Sequence, residues 1–175
     1  MKEAISLAAR TVLLARGLTG WSIEAVAREA GCAKGLVIYH GRTRNALLAE
    51  VARGLSADHA THRLEPWQVR GTVGLDRLWN TLAAEVRNGE FAAWVTLSAI
   101  KAREVSAAAA PPADFLPELG SAARQALNLP AETSPEETGR LIDAVIGGFQ
   151  LQLLHHTSPV TVREVYHRFW LGLMR

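Results

Sequence analysis

Residues 21–48 read WSIEAVAREAGCAKGLVIYHGRTRNALL, and the reading of this stretch, Trp21 to Leu48, decides the fold. It predicts two short helices around a tight Gly31-Cys32 turn, followed at once by the start of another. Ser22 stands where an N-cap belongs, because its hydroxyl can accept one of the backbone N–H groups that a first helical turn leaves unpaired. Glu24 follows in that first turn, where a carboxylate complements the positive end of the helix dipole. Val26, Ala27 and Ala30 form a narrow apolar face whose small residues allow close helix crossing. Gly31 makes the turn, the next helix is expected from about Ala33 to His40, and Gly41 closes it. Thr43 is the next N-cap, ahead of a buried stripe of Leu47, Leu48, Val51 and Leu55. Helices this short hold only by packing against one another. The pattern is that of a helix-turn-helix, whose second helix is shaped to enter the major groove of DNA.

Upstream, Ile5, Ala8, Ala9, Val12 and Leu13 repeat at the spacing of an amphipathic helix over Glu3 to Ala15, and Gly17 ends it. With this helix in place, residues 4–55 resemble the DNA-binding domain of the tetracycline-repressor (TetR) family of bacterial transcriptional regulators. The resemblance rests on the Ser22 cap, Val26-Ala27, Ala30-Gly31, Lys34-Gly35, Tyr39-His40 and Thr43-Arg44 followed by Leu47-Leu48. The sequence departs from the family pattern at Glu24, where a basic residue is frequent, and at Ala33, where Ser or Thr is usual. It departs again at Ile38, commonly polar or aromatic, and at Gly41, usually an aromatic.

Phosphates take cations, hydroxyls and helix N-termini, whereas base edges need side chains projecting from the recognition helix. The candidates on that helix are Lys34, Gly35, Leu36, Ile38, Tyr39 and His40, with Val37 turned inward. Lys34 is placed for a phosphate or a guanine edge, and Gly35 for close approach of the backbone. The resemblance implies that Tyr39 and His40 are a backbone-contacting pair. Ser22, Thr43 and Arg44, at helix N-termini, are the expected phosphate clamps on either side. Cys32 reads as a small apolar filler in the turn.

Past Leu55 the chain turns polar. Ser56 to Arg70, with Asp58, His59, His62 and Arg63, reads as solvated helix surface, and the i, i+3 histidines lack further ligands for a metal at a suggestive spacing. After Pro66 and Gly71, Leu75, Leu78, Trp79, Leu82 and Val86 build an amphipathic helix that Asn88-Gly89 stops. Phe91, Trp94, Val95, Leu97 and Ile100 predict one helix running to about Val105, and Ala107 to Pro112 a mobile loop. A helix follows from about Asp114 to Leu127, then a loop from Asn128 to Ser134. Ser134-Pro135-Glu136-Glu137 is a strong helix start, being a cap, a first-turn proline and two acids.

The helix from Pro135 to about His156 is apolar nearly all round between Leu141 and Leu154, so it must be covered on several sides. Gly147-Gly148 within it each cost roughly 1 kcal/mol against alanine, yet they let another helix backbone come close. The last helix, Thr161 to about Met174, repeats the theme. Together the two predict a four-helix dimer interface made with their symmetry mates, through Ile142, Val145, Ile146, Phe149, Leu153, Val165, Phe169 and Trp170. The resemblance implies the same dimer. It also implies a ligand cavity among the middle helices, for which Trp79, Phe91, Trp94, Leu97, Phe149 and Gln152 are the plausible lining. Few counter-charges stand among these six, which favours an apolar or aromatic effector.

The whole-chain balance agrees with a nucleic-acid reader at one end. Residues 1–55 hold eight Lys or Arg against four Asp or Glu, whereas residues 56–175 hold eleven against thirteen. A basic head on a mildly acidic body is the charge distribution of a DNA-contacting protein. The one cysteine and the lack of a charged-then-apolar leader fit a reducing cytoplasm. The longest apolar run, Leu141 to Leu154, is broken by Asp143, Gln150 and Gln152 and is too short to span a membrane. No Gly-rich phosphate loop, nucleophile elbow or His-Glu-x-x-His motif is present, so neither an enzyme nor a cofactor is expected.

The expectation is an all-α chain of about nine helices. Residues 1–48 would form the helix-turn-helix domain, joined through a helix at 43–60 to a helical effector-binding and dimerisation domain at 56–175. The function expected is a homodimeric repressor on a palindromic operator in double-stranded DNA, released by a small molecule. The rival is a helical protein-interaction or ligand-binding module with a degenerate reader, suggested by Glu24, Ala33, Ile38 and Gly41.

Overall fold

The computed structural model describes residues 1–41, 43–129 and 134–173. Among these it is all α, with ten helices and one 3₁₀ turn: α1 (Lys2–Arg16), α2 (Ile23–Glu29), α3 (Lys34–Gly41), α4 (Arg44–Leu64), the 3₁₀ turn (Glu65–Gln68), α5 (Thr72–Arg87), α6 (Glu90–Ser98), α7 (Arg103–Ala108), α8 (Phe115–Leu127), α9 (Pro135–Leu154) and α10 (Pro159–Leu173). Met174, the expected end of the last helix, and residues 130–133 of the expected loop lie outside the described residues. No described helix is long and apolar enough to cross a membrane.

Two compact units emerge, and neither is continuous in sequence. The first comprises residues 1–57 and 88–110, the second residues 58–87 and 111–175, so α4 begins in one and ends in the other. In the first unit, Ile5, Ala9, Val12 and Leu13 of α1 pack with Trp21, Val26, Val37 and the Leu47, Leu48, Val51, Leu55 stripe of α4. Leu97 of α6 and Val105 and Ala109 of the following segment join the same core. Arg10 of α1 also pairs with Glu90 of α6 at 2.6 Å.

The tenth helix arises because the single helix expected from Phe91 to Val105 is two. Chain direction changes between Ser98 and Arg103, which lets both Leu97 and Val105 be fully buried. The Trp94 indole N–H donates to the Ala109 carbonyl at 3.0 Å and ties the two arms together. The alanine-rich run expected to be a mobile loop is therefore helical as far as Ala108, with Ala109 buried. Alanine is the best helix former and needs little room in a core.

In the second unit, α5, α8, α9 and α10 enclose Leu78, Leu82, Leu119, Ile146, Tyr166 and Trp170. Ser134 accepts from the Glu137 N–H at 3.2 Å, while the Glu137 carboxylate accepts from the Ser134 N–H at 2.9 Å, completing the capping box that starts α9. α9 buries Ile142, Ile146 and Phe149 but leaves Leu141 62% and Leu151 41% exposed, so one of its apolar sides faces outward in the protomer.

Solvated surface is the wrong reading of the polar end of α4. Ser56, His59 and Arg63 are buried, Arg63 to 1% exposure. The Arg63 guanidinium donates to the Asp143 carboxylate at 2.6 Å and to the Gln150 side-chain oxygen at 2.7 Å. The Gln150 amide in turn donates to Glu85 at 2.6 Å, and His62 Nδ1 lies 2.9 Å from the other Glu85 oxygen. Burial lowers the Arg63 pKa, and the Asp143 and Glu85 carboxylates act against that shift. A guanidinium keeps its proton in proteins, so this is a buried cation between two carboxylates.

Candidate nucleic-acid interface

The reader is held from beneath by one tryptophan and one valine. Trp21, buried between α1 and α2, donates its indole N–H to the Ala9 carbonyl at 2.9 Å. The Arg44 guanidinium lies over the Trp21 ring, 5.4 Å from its centroid, so a cation at the start of α4 is oriented by a core aromatic. Val37, fully buried, is the inward anchor of α3.

Both expected caps are formed. The Ser22 hydroxyl accepts from the Ala25 N–H at 3.1 Å, and the Thr43 hydroxyl accepts from the Ala46 N–H at 3.0 Å. Each oxygen is thereby fixed at a helix N-terminus, where a phosphate is favoured, and the Ser22 hydroxyl also hydrogen-bonds the Glu24 carboxylate. Gly31 takes φ 63, a left-handed conformation suited to glycine, and the Cys32 N–H closes the turn onto the Ala27 carbonyl at 3.0 Å. Cys32 itself is half-buried against the core of this unit. Ala33 contributes only its backbone carbonyl, accepting from Leu36 and Val37.

On α3 the remaining candidates face outward to different degrees. Tyr39 is 78% exposed and Ile38 47%, Lys34 and Gly35 are exposed, and Leu36 and His40 are half-buried. The Tyr39 and His40 rings meet edge to face with centroids 5.0 Å apart. A Cβ built on Gly35 meets no atom within 4 Å, so its outer side is open. Lys34 is ion-paired with Glu24 of α2.

The six residues expected to line an effector cavity fall into three settings. Trp79 and Phe149 lie in the core of the second unit, each 5.3 Å from the Tyr166 ring. Leu97 lies in the core of the first unit with the half-buried Trp94 packed against it, and the buried Phe91 ring lies 6.2 Å from that of Trp94. Gln152 is exposed on α9. Three cavities, of about 500, 120 and 50 Å³, are lined by other residues. Of the expected dimer residues, Ile142, Ile146, Phe149 and Trp170 are buried within the protomer, Val145 and Leu153 are half-buried, and Val165 and Phe169 are exposed.

Sequence reasoning missed the Arg63–Gln150–Glu85 cluster. Its visible trace is that Asp143 and Gln150, two of the three polar interruptions in the apolar run Leu141 to Leu154, required partners from elsewhere in the chain.

Residues 5–51 match the family model described as bacterial regulatory proteins, tetR family. No curated protein matches the chain. Among solved structures, the fold is shared with a transcriptional regulator from Rhodococcus sp. Rha1, 21% identical, covering 98% of this chain and 93% of that one with a TM-score of 0.68. A Rhodococcus sp. chain provisionally described as a TetR-family transcriptional regulator is 20% identical over 99% of this chain and 98% of its own, with a TM-score of 0.73. The multidrug binding protein EbrR, solved with imidazole, is 24% identical over 95% and 93% of the two chains, with a TM-score of 0.64. The tetR family match thus covers the helix-turn-helix, residues 5–51, and the fold of the chain around it is shared with these solved structures.

Proposed function

We propose that the chain is a ligand-responsive repressor that grips a near-palindromic operator as a homodimer. The observation that carries this reading is the open face of α3, with Lys34, Gly35, Ile38 and Tyr39 turned to solvent on a helix pinned by buried Val37. These four, with Leu36 and His40, are the groove-facing set, and Ser22, Thr43 and Arg44 clamp the flanking phosphates. Each protomer reads one half-site, and the two readers must match a spacing of roughly 34–36 Å, one turn of DNA, or a small multiple of it.

Dimerisation is assigned to the outer sides of α9 and α10. Leu141, Leu151, Val165 and Phe169 are exposed large hydrophobics in the protomer, and a second copy would cover them. A built Cβ on Gly147 or Gly148 meets nothing within 4 Å, which leaves room for a close helix crossing. The effector is an apolar or aromatic small molecule received in the body, and it releases DNA only by binding more tightly to a reader spacing that no longer fits. EbrR, of similar fold, is described as a multidrug binding protein and has been solved with proflavin, a planar aromatic. Because its target is chromosomal DNA, the protein acts in the cytoplasm.

A salt titration on duplex DNA tests the reading. Affinity for DNA should fall steeply as salt rises, because phosphate contacts release counterions. Arg44→Ala should weaken that binding while the far-UV spectrum and melting temperature stay close to wild type. Absence of binding at low salt would favour the rival reading, a helical module with a degenerate reader. Fragments selected from random DNA should show two-fold half-site symmetry.

A further inference from the structure

Glu24 lies in the first turn of α2 and Lys34 is the first residue of α3, and their side chains meet across the turn as carboxylate and ammonium. Both side chains are more than half exposed, at 56% and 55%, so the pair sits on the solvent side rather than in the core. Lys34 is the only Lys or Arg from residue 33 to residue 41, and so the only permanent cation on the recognition helix. The hydrogen bond from Lys34 holds the Glu24 carboxyl below the usual carboxylate range. A helix meant to approach a polyanion thus carries its one cation already neutralised.

On DNA of arbitrary sequence the partner offered to Lys34 is a phosphate. Taking it requires giving up Glu24 and bringing an unpaired carboxylate toward the phosphates, so the exchange gains little. At a fitting base pair the balance differs, because a guanine edge offers paired acceptors to Lys34 while the neighbouring cytosine amino group can donate to Glu24. Donor and acceptor side by side suit a base edge, whereas a phosphate has acceptors only. We propose that Glu24 is a specificity-determining residue of the reader, holding Lys34 in a surface ion pair that suppresses phosphate-only binding. The proposal rests on the DNA-binding reading above.

The test uses the full chain and a fluorescein-labelled duplex of mixed sequence, followed by anisotropy between about 50 and 200 mM salt. Glu24→Gln should bind this duplex more tightly than wild type. Its advantage should shrink by about threefold across that range, because one additional phosphate contact steepens the log–log slope by about 0.9. Lys34→Gln alone should leave the slope close to wild type, since the charge it removes is already countered. In the Lys34→Gln background, Glu24→Gln should lose most of its advantage. Equal or weaker binding by Glu24→Gln overturns the proposal. So does an advantage undiminished by Lys34→Gln, which would make Glu24 a source of general repulsion and nothing more. If wild type and Arg44→Ala bind no DNA even at the lowest salt, the DNA-binding reading has failed first and the inference falls with it.

Discussion

Gly35 occupies the interior of α3, where alanine is more favourable by about 1 kcal/mol, and a Cβ there meets no atom of the protein within 4 Å. Within the folded chain the glycine therefore has no steric reason, and Gly35→Ala should raise the melting temperature while weakening DNA binding. A variant that gains stability and keeps full affinity would remove Gly35 from the interface. His59 supplies a pH dependence. Burial is the main cause that drives its pKa from 6.5 down to about 2, so the folded imidazole stays neutral while the unfolded one takes up a proton below about pH 6.5. The stability contributed by this neutral form is complete above that pH and drains away as pH falls toward the folded value, with a slope approaching about 1.4 kcal/mol per pH unit. Urea unfolding at pH 7 and pH 5 should show this loss, and His59→Gln should flatten it. Arg63→Met should cost about 3–5 kcal/mol in the same assay, because it removes the buried cation bonded to Asp143 and, through Gln150, held beside buried Glu85. Neither effect is legible in the sequence, where His59 and Arg63 share one polar stretch with solvated residues.

At the scale of elements, α8 and α9 cross with their backbones in close approach at Gly120 and Gly139. A Cβ on Gly120 would lie 1.8 Å from the Pro135 carbonyl oxygen, and one on Gly139 would lie 1.9 Å from that of Leu116. Both obstacles are backbone, which cannot rotate aside. Gly120→Ala and Gly139→Ala should each destabilise the protein by about 3 kcal/mol or more, measured by denaturant unfolding. Gly54→Ala, on the exposed side of α4 with nothing within 4 Å, is the control and should be mildly stabilising. The sequence places these helices well because their caps are local: Ser134 and Glu137 lie three residues apart, and Gly17 follows directly on α1. It merges α6 with α7 because the break at residues 99–102 carries no proline or glycine and comes from Leu97 and Val105 seeking one core.

For the whole molecule, the assignment of α9 and α10 to a dimer interface predicts opposite effects from two kinds of change. Phe169→Glu and Val165→Glu, at positions 37% and 46% exposed in the protomer, should yield a folded monomer by sedimentation and lose affinity for a two-half-site operator. Gly148→Ala should stabilise the isolated helix yet weaken the dimer, since the added methyl occupies space left open beside α9. A Gly148→Ala protein that stays dimeric with a higher melting temperature would move the interface elsewhere. The all-α class, the helix-turn-helix, its caps at Ser22 and Thr43 and the buried anchor Val37 are set by the sequence itself. Each follows from hydrogen bonds or apolar spacing within about one or two helical turns. Tertiary structure alone decided what depends on residues far apart in the chain. It placed α6 and α7 in the core of the N-terminal unit and divided the expected effector aromatics between two cores. It paired Arg63 with Asp143 and Gln150, eighty or more positions away, turning a polar stretch into a buried network. A buried charge selects its partners by proximity and desolvation after the chain has folded, and no local pattern records that choice.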